Sequence, residues 1–123
     1  MKENHDITIL IVDDENSLRK SLVKNFELEG FCVLSASSGH EALEVVKNQK
    51  IDFVLSDVRM PEGDGVELLK NIKMFNDRIP IVLLVSGFSE HSKDEVVAMG
   101  AIDLLTKPAD IDKIIGMIKN TVV

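Results

Sequence analysis

Short apolar runs alternate along the chain with longer stretches in which apolar residues recur every third or fourth position. The first pattern suits strands covered on both faces and the second suits amphipathic helices. Residues 7–12 form a β-branched run that ends in Asp13, Asp14 and Glu15. Residues 16–29 then carry Leu18, Leu22 and Phe26 at helical spacing, and Gly30 stands where a helix C-terminus is expected. A second strand is predicted over 31–36. Ser38 with Glu41 forms a capping box that opens a helix through Asn48, with Ala42, Leu43, Val45 and Val46 facing inward.

The centre of the chain is residues 51–61, Ile-Asp-Phe-Val-Leu-Ser-Asp-Val-Arg-Met-Pro, where an unbroken apolar run delivers Asp57 to its carboxyl end and Pro61 stops it. The loop 59–65 holds Pro61, Gly63 and Gly65, and a helix is predicted from there to about residue 76 on Val66, Leu69 and Ile72. Pro80 fits only the start of the next strand, 81–85, which ends in Ser86-Gly87. Residues 91–99 predict a weak helix with Val96, Val97 and Met99 as its apolar positions, the least securely docked of the set. Residues 102–106 form the last strand, ahead of Lys107-Pro108. Asp110 caps a final helix with Ile111, Ile114, Ile115 and Ile118 on one face.

Five strands alternating with five helices predict a single doubly wound (βα)5 domain, an α/β fold with helices on both faces of a parallel sheet and right-handed crossovers. In such a sheet every strand's carboxyl end emerges on one edge, where ligands bind. Asp13, Asp14, Asp57, Ser86 and Lys107 all fall on that edge. Composition narrows the partners. The 123 residues carry 14 Lys plus Arg against 21 Asp plus Glu, a formal charge of -7, which argues against direct nucleic-acid or anionic-membrane binding. The one cysteine, Cys32, sits in an apolar run and is expected to be a small buried hydrophobe. No apolar run is long enough to span a bilayer and residues 1–6 lack a signal-peptide core, so a cytoplasmic location is expected.

Carboxylates brought together repel by about 4 kcal/mol per pair at roughly 4 Å and an effective dielectric near 20, so they take up protons or a cation. All-oxygen ligands without His or Cys suit Mg2+. Lys107 and the Ser86 hydroxyl would help the same edge receive a tetrahedral anion, and together they would neutralise a phosphoryl group bonded to Asp57. Taken singly, Asp13 and Asp14 read as helix caps and Lys107 as a solvated charge. Their joint placement at strand ends reverses that reading.

These residues resemble the receiver domain of two-component response regulators. The matching pieces are Ile-Leu-Ile-Val-Asp-Asp-Glu at 9–15, Ser-Asp-Val-Arg-Met-Pro at 56–61 with Asp64-Gly65, Val-Ser-Gly at 85–87, and Gly-Ala-Ile-Asp-Leu-Leu-Thr-Lys-Pro at 100–108. The resemblance implies a flavodoxin-like sheet of order 2-1-3-4-5 and a receiver domain over 7–123, which follows a segment 1–6 expected to be flexible. It implies that Asp57 accepts a phosphoryl group from the phosphohistidine of a sensor histidine kinase or phosphotransfer protein, or from a small acyl phosphate. It also implies Mg2+ as cofactor, ligated by Asp14 directly, by Asp13 mainly through water, by Asp57 and by the Arg59 backbone carbonyl. Ser86 and Lys107 would contact the phosphoryl oxygens, and the Lys107-Pro108 bond would be cis. Such a domain catalyses its own phosphorylation and slow dephosphorylation, yet its role is signalling through the face of the fourth helix, fifth strand and fifth helix.

Three departures shape the expectation. Leu104 stands where the family usually has Tyr or Phe, so transmission is expected to rest on Ser86 and the loop after it, or the domain acts as a phosphate relay or sink. Gly63 replaces a commonly apolar residue and is expected to loosen its loop. Arg59 and Phe88 flank the site and are expected to shield the phosphoryl group from water. A haloacid-dehalogenase-type phosphatase wants an acid where Arg59 stands. A flavodoxin-like cofactor binder would have its phosphate repelled by Asp13-Asp14-Glu15. A phosphorylation-silent interaction module is disfavoured by the intact site residues.

Overall fold

In the central strands, successive side chains feed two different cores, and this alternation organises the molecule. Ile7, Ile9, Ile11, Phe53, Leu55, Val82 and Leu84 pack with Leu22, Phe26, Ile114, Ile115 and Ile118. Leu10, Val12, Val54, Ile81, Leu83 and Val85 pack instead with Ala42, Val46, Val66, Leu69, Ile72 and Val96. The structure is a computed structural model that describes residues 2–87 and 90–122. Its elements are β1 (Thr8–Val12), α1 (Asn16–Leu28), β2 (Cys32–Ala36), α2 (Gly39–Asn48), β3 (Phe53–Asp57), α3 (Gly65–Phe75), β4 (Ile81–Val85), α4 (Lys93–Ala98), β5 (Asp103–Thr106) and α5 (Ile111–Thr121). Helices α1 and α5 therefore cover one face, and α2, α3 and α4 the other. Each large side chain fully buried in these layers contributes about 1.5–3 kcal/mol, so a one-residue register slip, which would exchange the two cores, is strongly disfavoured.

All strand pairs are parallel and the order is β2-β1-β3-β4-β5, as expected. The chain reverses its direction of travel across the sheet between β1 and β3, the switch point at which a crevice opens. Val12 is opposite Ser56 in the register, so the residues that follow, Asp13 and Asp57, leave the sheet side by side.

Three local expectations are corrected. Cys32 is exposed, with its thiol 3.3 Å from the His5 carbonyl, because β2 is an edge strand with a neighbouring strand, β1, on one side only. An apolar run reads alike at the edge and at the centre of a sheet. In the segment expected to be flexible, Asn4–Asp6 form a 3-10 turn and the Asn4 amide donates to the Glu29 carbonyl at 2.6 Å. The weak helix is shorter than its pattern suggests: α4 starts at Lys93, because Ser92 and Glu95 make a complete capping box, and Val96 is its one buried residue. At α2, Ser38 accepts from Glu41 N as predicted, but the Glu41 carboxylate takes the Ser37 hydroxyl instead of closing the box.

Gly116 lies inside α5, and an added methyl there would meet no atom within 4 Å. Gly116→Ala should therefore stabilise the domain by roughly 1 kcal/mol through helix propensity and raise its melting temperature by about 4 °C in a far-UV circular dichroism melt. A lowered melting temperature would contradict this.

Candidate functional site

The carboxyl edge of the sheet gathers its chemistry from three strands. Asp13 extends β1 by donating its N–H to the Ala36 carbonyl at 3.2 Å, while its Oδ1 accepts Glu15 N at 2.9 Å and turns the chain toward α1. It is thus neither a conventional helix cap nor a solvated acid. Asp13 is 1% exposed and Asp14, next to it, is exposed. Asp57 closes β3 at 8% exposure, with the Ser56 hydroxyl donating to its carbonyl at 3.0 Å. The helix α3 begins against this residue. Gly65 N donates to the Val58 carbonyl at 2.8 Å, and a Cβ on Gly65 would lie 2.3 Å from the Asp57 carbonyl oxygen.

Lys107 arrives from the far side. Its backbone N–H donates to the Val85 carbonyl at 2.8 Å, which carries the β4 to β5 pairing one residue beyond Thr106. Its ammonium donates to Asp57 Oδ2 at 3.1 Å and to Asp13 Oδ2 at 3.2 Å. Asp13, Asp14 and Asp57 each offer a carboxylate oxygen within 4.8 Å of the others. The Lys107-Pro108 peptide bond is cis.

Burial is the largest cause acting on the Asp57 carboxyl and pushes it above the ordinary aspartate range; Lys107 pulls it down, and Asp13 and Asp14 add to the rise. Burial alone would lower the Lys107 ammonium, but its bonds and charge pairing with Asp57 and Asp13 outweigh that and raise it. A carboxyl whose folded pKa lies above its unfolded one binds more protons folded. Its cost to stability is absent below the unfolded pKa, grows as pH rises toward the folded pKa and is full at neutrality. Asp57→Asn should therefore raise the melting temperature of metal-free protein at pH ~7, with the gain vanishing once pH falls below the unperturbed value of 3.8. Differential scanning calorimetry in chelator checks this, and a variant that melts below wild type at neutral pH contradicts it.

Four of the expected site residues, Asp13, Asp14, Asp57 and Lys107, are in mutual reach. Ser86 follows Val85 on the same edge but is exposed, and among the described residues no hydrogen bond joins it to the carboxylates. Arg59 is exposed two residues past Asp57, so its backbone lies on the same edge. Leu104 sits opposite Leu83 and packs partly buried against the α2, α3, α4 core. Phe88, expected to shield the site, lies outside the described residues. The loop at Gly63 departs from the loosening expected of it: the Gly63 carbonyl accepts Gly39 N at 3.0 Å and the Glu62 carbonyl accepts His40 N at 3.3 Å, which docks the loop on the first turn of α2.

One residue that the sequence reading passed over is Arg19. Its Nη1 donates to the Asp13 carbonyl at 2.8 Å and its Nη2 to Asn16 Oδ1 at 2.6 Å. The available signal was a long cation one turn into a helix that follows an acid pair.

Two buried acids, an exposed acid and an ammonium bridging the buried pair meet at this sheet edge, a donor set that a hard divalent cation fits. The described acids, all oxygen donors, fit Mg2+ chemistry. Comparison with known proteins gives the same direction. A family model described as response regulator receiver domain matches residues 9–119. The transcriptional regulatory protein ZraR of Klebsiella oxytoca is 40% identical over 111 residues, covering 88% of this chain and 24% of that protein. Sporulation initiation phosphotransferase F of Bacillus subtilis (strain 168) is 34% identical over 111 residues, covering 90% of each. A chain of the CheX-CheY-BeF3-Mg+2 complex from Borrelia burgdorferi superposes with a TM-score of 0.85 at 31% identity, over 95% of this chain and 90% of that one. This chain spans about a quarter of the length of the regulators that head the curated relatives.

Proposed function

The chain belongs to the response regulator receiver domain family, whose members are phosphoacceptors in two-component signalling, and we propose that Asp57 is its acceptor. The phosphoryl group comes from the phosphohistidine of a sensor histidine kinase or a phosphotransfer protein in the cytoplasm. The observation that carries this is the Lys107 ammonium held 3.1 Å from Asp57 and 3.2 Å from Asp13, with Asp14 completing the acid cluster.

In the proposed reaction an Asp57 carboxylate oxygen attacks phosphorus, the P–N bond to the donor imidazole breaks, and the electron pair leaves with the histidine nitrogen. Asp13, Asp14, Asp57 and the Arg59 carbonyl would hold Mg2+, which supplies positive charge to the acids and to the transferring phosphoryl oxygens. Lys107 is already placed to follow the transferring charge, because its ammonium is tethered to both buried acids. Ser86, exposed and with no hydrogen bond to the cluster among the described residues, would turn toward a phosphoryl oxygen and draw the loop after it.

The face that would respond is lightly anchored. α4 docks through Val96, backbone bonds and the Lys93 to Asp103 ion pair at 3.3 Å. Such a helix shifts at low cost. A second reading, a phosphorelay intermediate or sink, is supported by Leu104 in place of the usual aromatic switch and by similarity along 90% of both chains to a phosphotransferase. Among the described residues no helix is long and apolar enough to cross a membrane.

Intact mass after incubation with acetyl phosphate, with and without Mg2+, tests the acceptor reading. One phosphoryl group gained only with Mg2+ supports it. No gain under either condition would bring forward the silent interaction module.

A further inference from the structure

Asp13 is held through every polar group it has. Its N–H donates to Ala36 at 3.2 Å, Oδ1 accepts Glu15 N at 2.9 Å, Oδ2 accepts Lys107 at 3.2 Å and its carbonyl accepts Arg19 at 2.8 Å. The last bond comes from outside the turn itself. Asn16 and Arg19 lie three residues apart on the first turn of α1, hence on one face. Two nitrogens of one planar guanidinium therefore tie the end of β1 to the start of α1, across the segment that carries Asp13, Asp14 and Glu15. Asp14 makes no hydrogen bond through its carboxylate among the described residues, so its aim depends on the backbone that this clamp restrains.

We propose that Arg19 is a positioning residue for the divalent-cation site, clamping the Asp13 carbonyl to Asn16 so that the acid pair is presented in ligating geometry. The inference rests on the reading of Asp13, Asp14 and Asp57 as a Mg2+ site. A simple charge effect would give a different result from a clamp. Lysine keeps the positive charge but is a single point donor, and it cannot reach the Asp13 carbonyl and Asn16 Oδ1 as a fork.

The test is the Mg2+ dissociation constant by titration calorimetry, since the chain has no Trp or Tyr to report binding by fluorescence. Arg19→Gln and Arg19→Lys should both weaken Mg2+ binding about tenfold, the lower end of what outer ligand-orienting groups contribute. Asn16→Ala, at an exposed position that leaves the fold intact, should weaken it by less. The rate of adduct formation from acetyl phosphate should fall at limiting Mg2+ and recover at saturating Mg2+. Wild-type affinity in Arg19→Gln, full rescue by Arg19→Lys, or a rate deficit that saturating Mg2+ does not restore would each overturn the clamp. Failure of wild type itself to bind Mg2+ would overturn the metal-site reading along with it, and is told apart because it needs no variant.

Discussion

Protein carrying Asp57→Asn should gain no mass from acetyl phosphate with Mg2+ present, while the wild-type chain should gain one phosphoryl group. This is the largest effect expected in the molecule, because the substitution removes the proposed attacking oxygen and a proposed metal ligand while keeping the shape of the side chain. The amide has nearly the same shape as the carboxylate at this 8% exposed position at the end of β3, so the variant should keep the fold. Its melting temperature without metal should even rise, as argued from the raised Asp57 carboxyl. The two results together separate a dead site from a damaged protein. An adduct of equal size on the variant would place the acceptor elsewhere on this edge, with Asp13, Asp14 and Ser86 the candidates to map by peptide mass.

A large stability effect falls on Gly65→Ala. The new methyl would need to sit where the Asp57 carbonyl oxygen is, at 2.3 Å, with the Val58 Cα at 3.0 Å, and neither is the end of a flexible side chain. Overpacking typically costs about 1–3 kcal/mol, and backbone on both sides places this substitution at the upper end or beyond. A melting temperature lower by roughly 10 °C follows for a domain of this size. Relief requires α3 to back away from β3, which stretches the bond from Gly65 N to the Val58 carbonyl and disturbs Asp57. Gly39→Ala provides the contrast. Its methyl would strike the Gly63 carbonyl at 2.2 Å, so it too should melt early, yet that contact lies between α2 and the loop before α3 and not at Asp57. Gly65→Ala should therefore lose more Mg2+ affinity than Gly39→Ala at comparable melting temperatures, read by calorimetry. Equal affinities in the two variants would show that the close approach at Gly65 serves packing alone.

Most of the architecture was legible in short windows of sequence. The runs at 7–12, 53–55 and 81–85 read as strands buried on both faces because β-branched and aliphatic residues with no polar alternation have few other soluble solutions. Leu18, Leu22 and Phe26, or Ile111, Ile114, Ile115 and Ile118, announce helices because their spacing matches the turn of one. Alternation of the two kinds of segment implies a parallel sheet and puts the strand-end acids on one edge. Edge status left no such mark, so Cys32 was misjudged. Likewise α4 was read too long, since its apolar positions signal helix while the Ser92 to Glu95 box sets where it starts.

The site itself divides along the same line. That aspartates, a serine and a lysine end the strands is a property of the sequence, written in motifs a few residues long. That Lys107 touches Asp57 and Asp13 while Ser86 does not is decided by tertiary structure, for these bonds span 50 and 94 residues of chain. The fork from Arg19 to the Asp13 carbonyl, the docking of the Gly63 carbonyl on α2 and the fit of Gly65 against Asp57 belong to the same class. Periodicity and capping act through neighbours within a turn or two, and so they can be read directly from the order of residues. Distances between strand ends depend on strand order and register, which the whole sheet fixes by burying two cores at once.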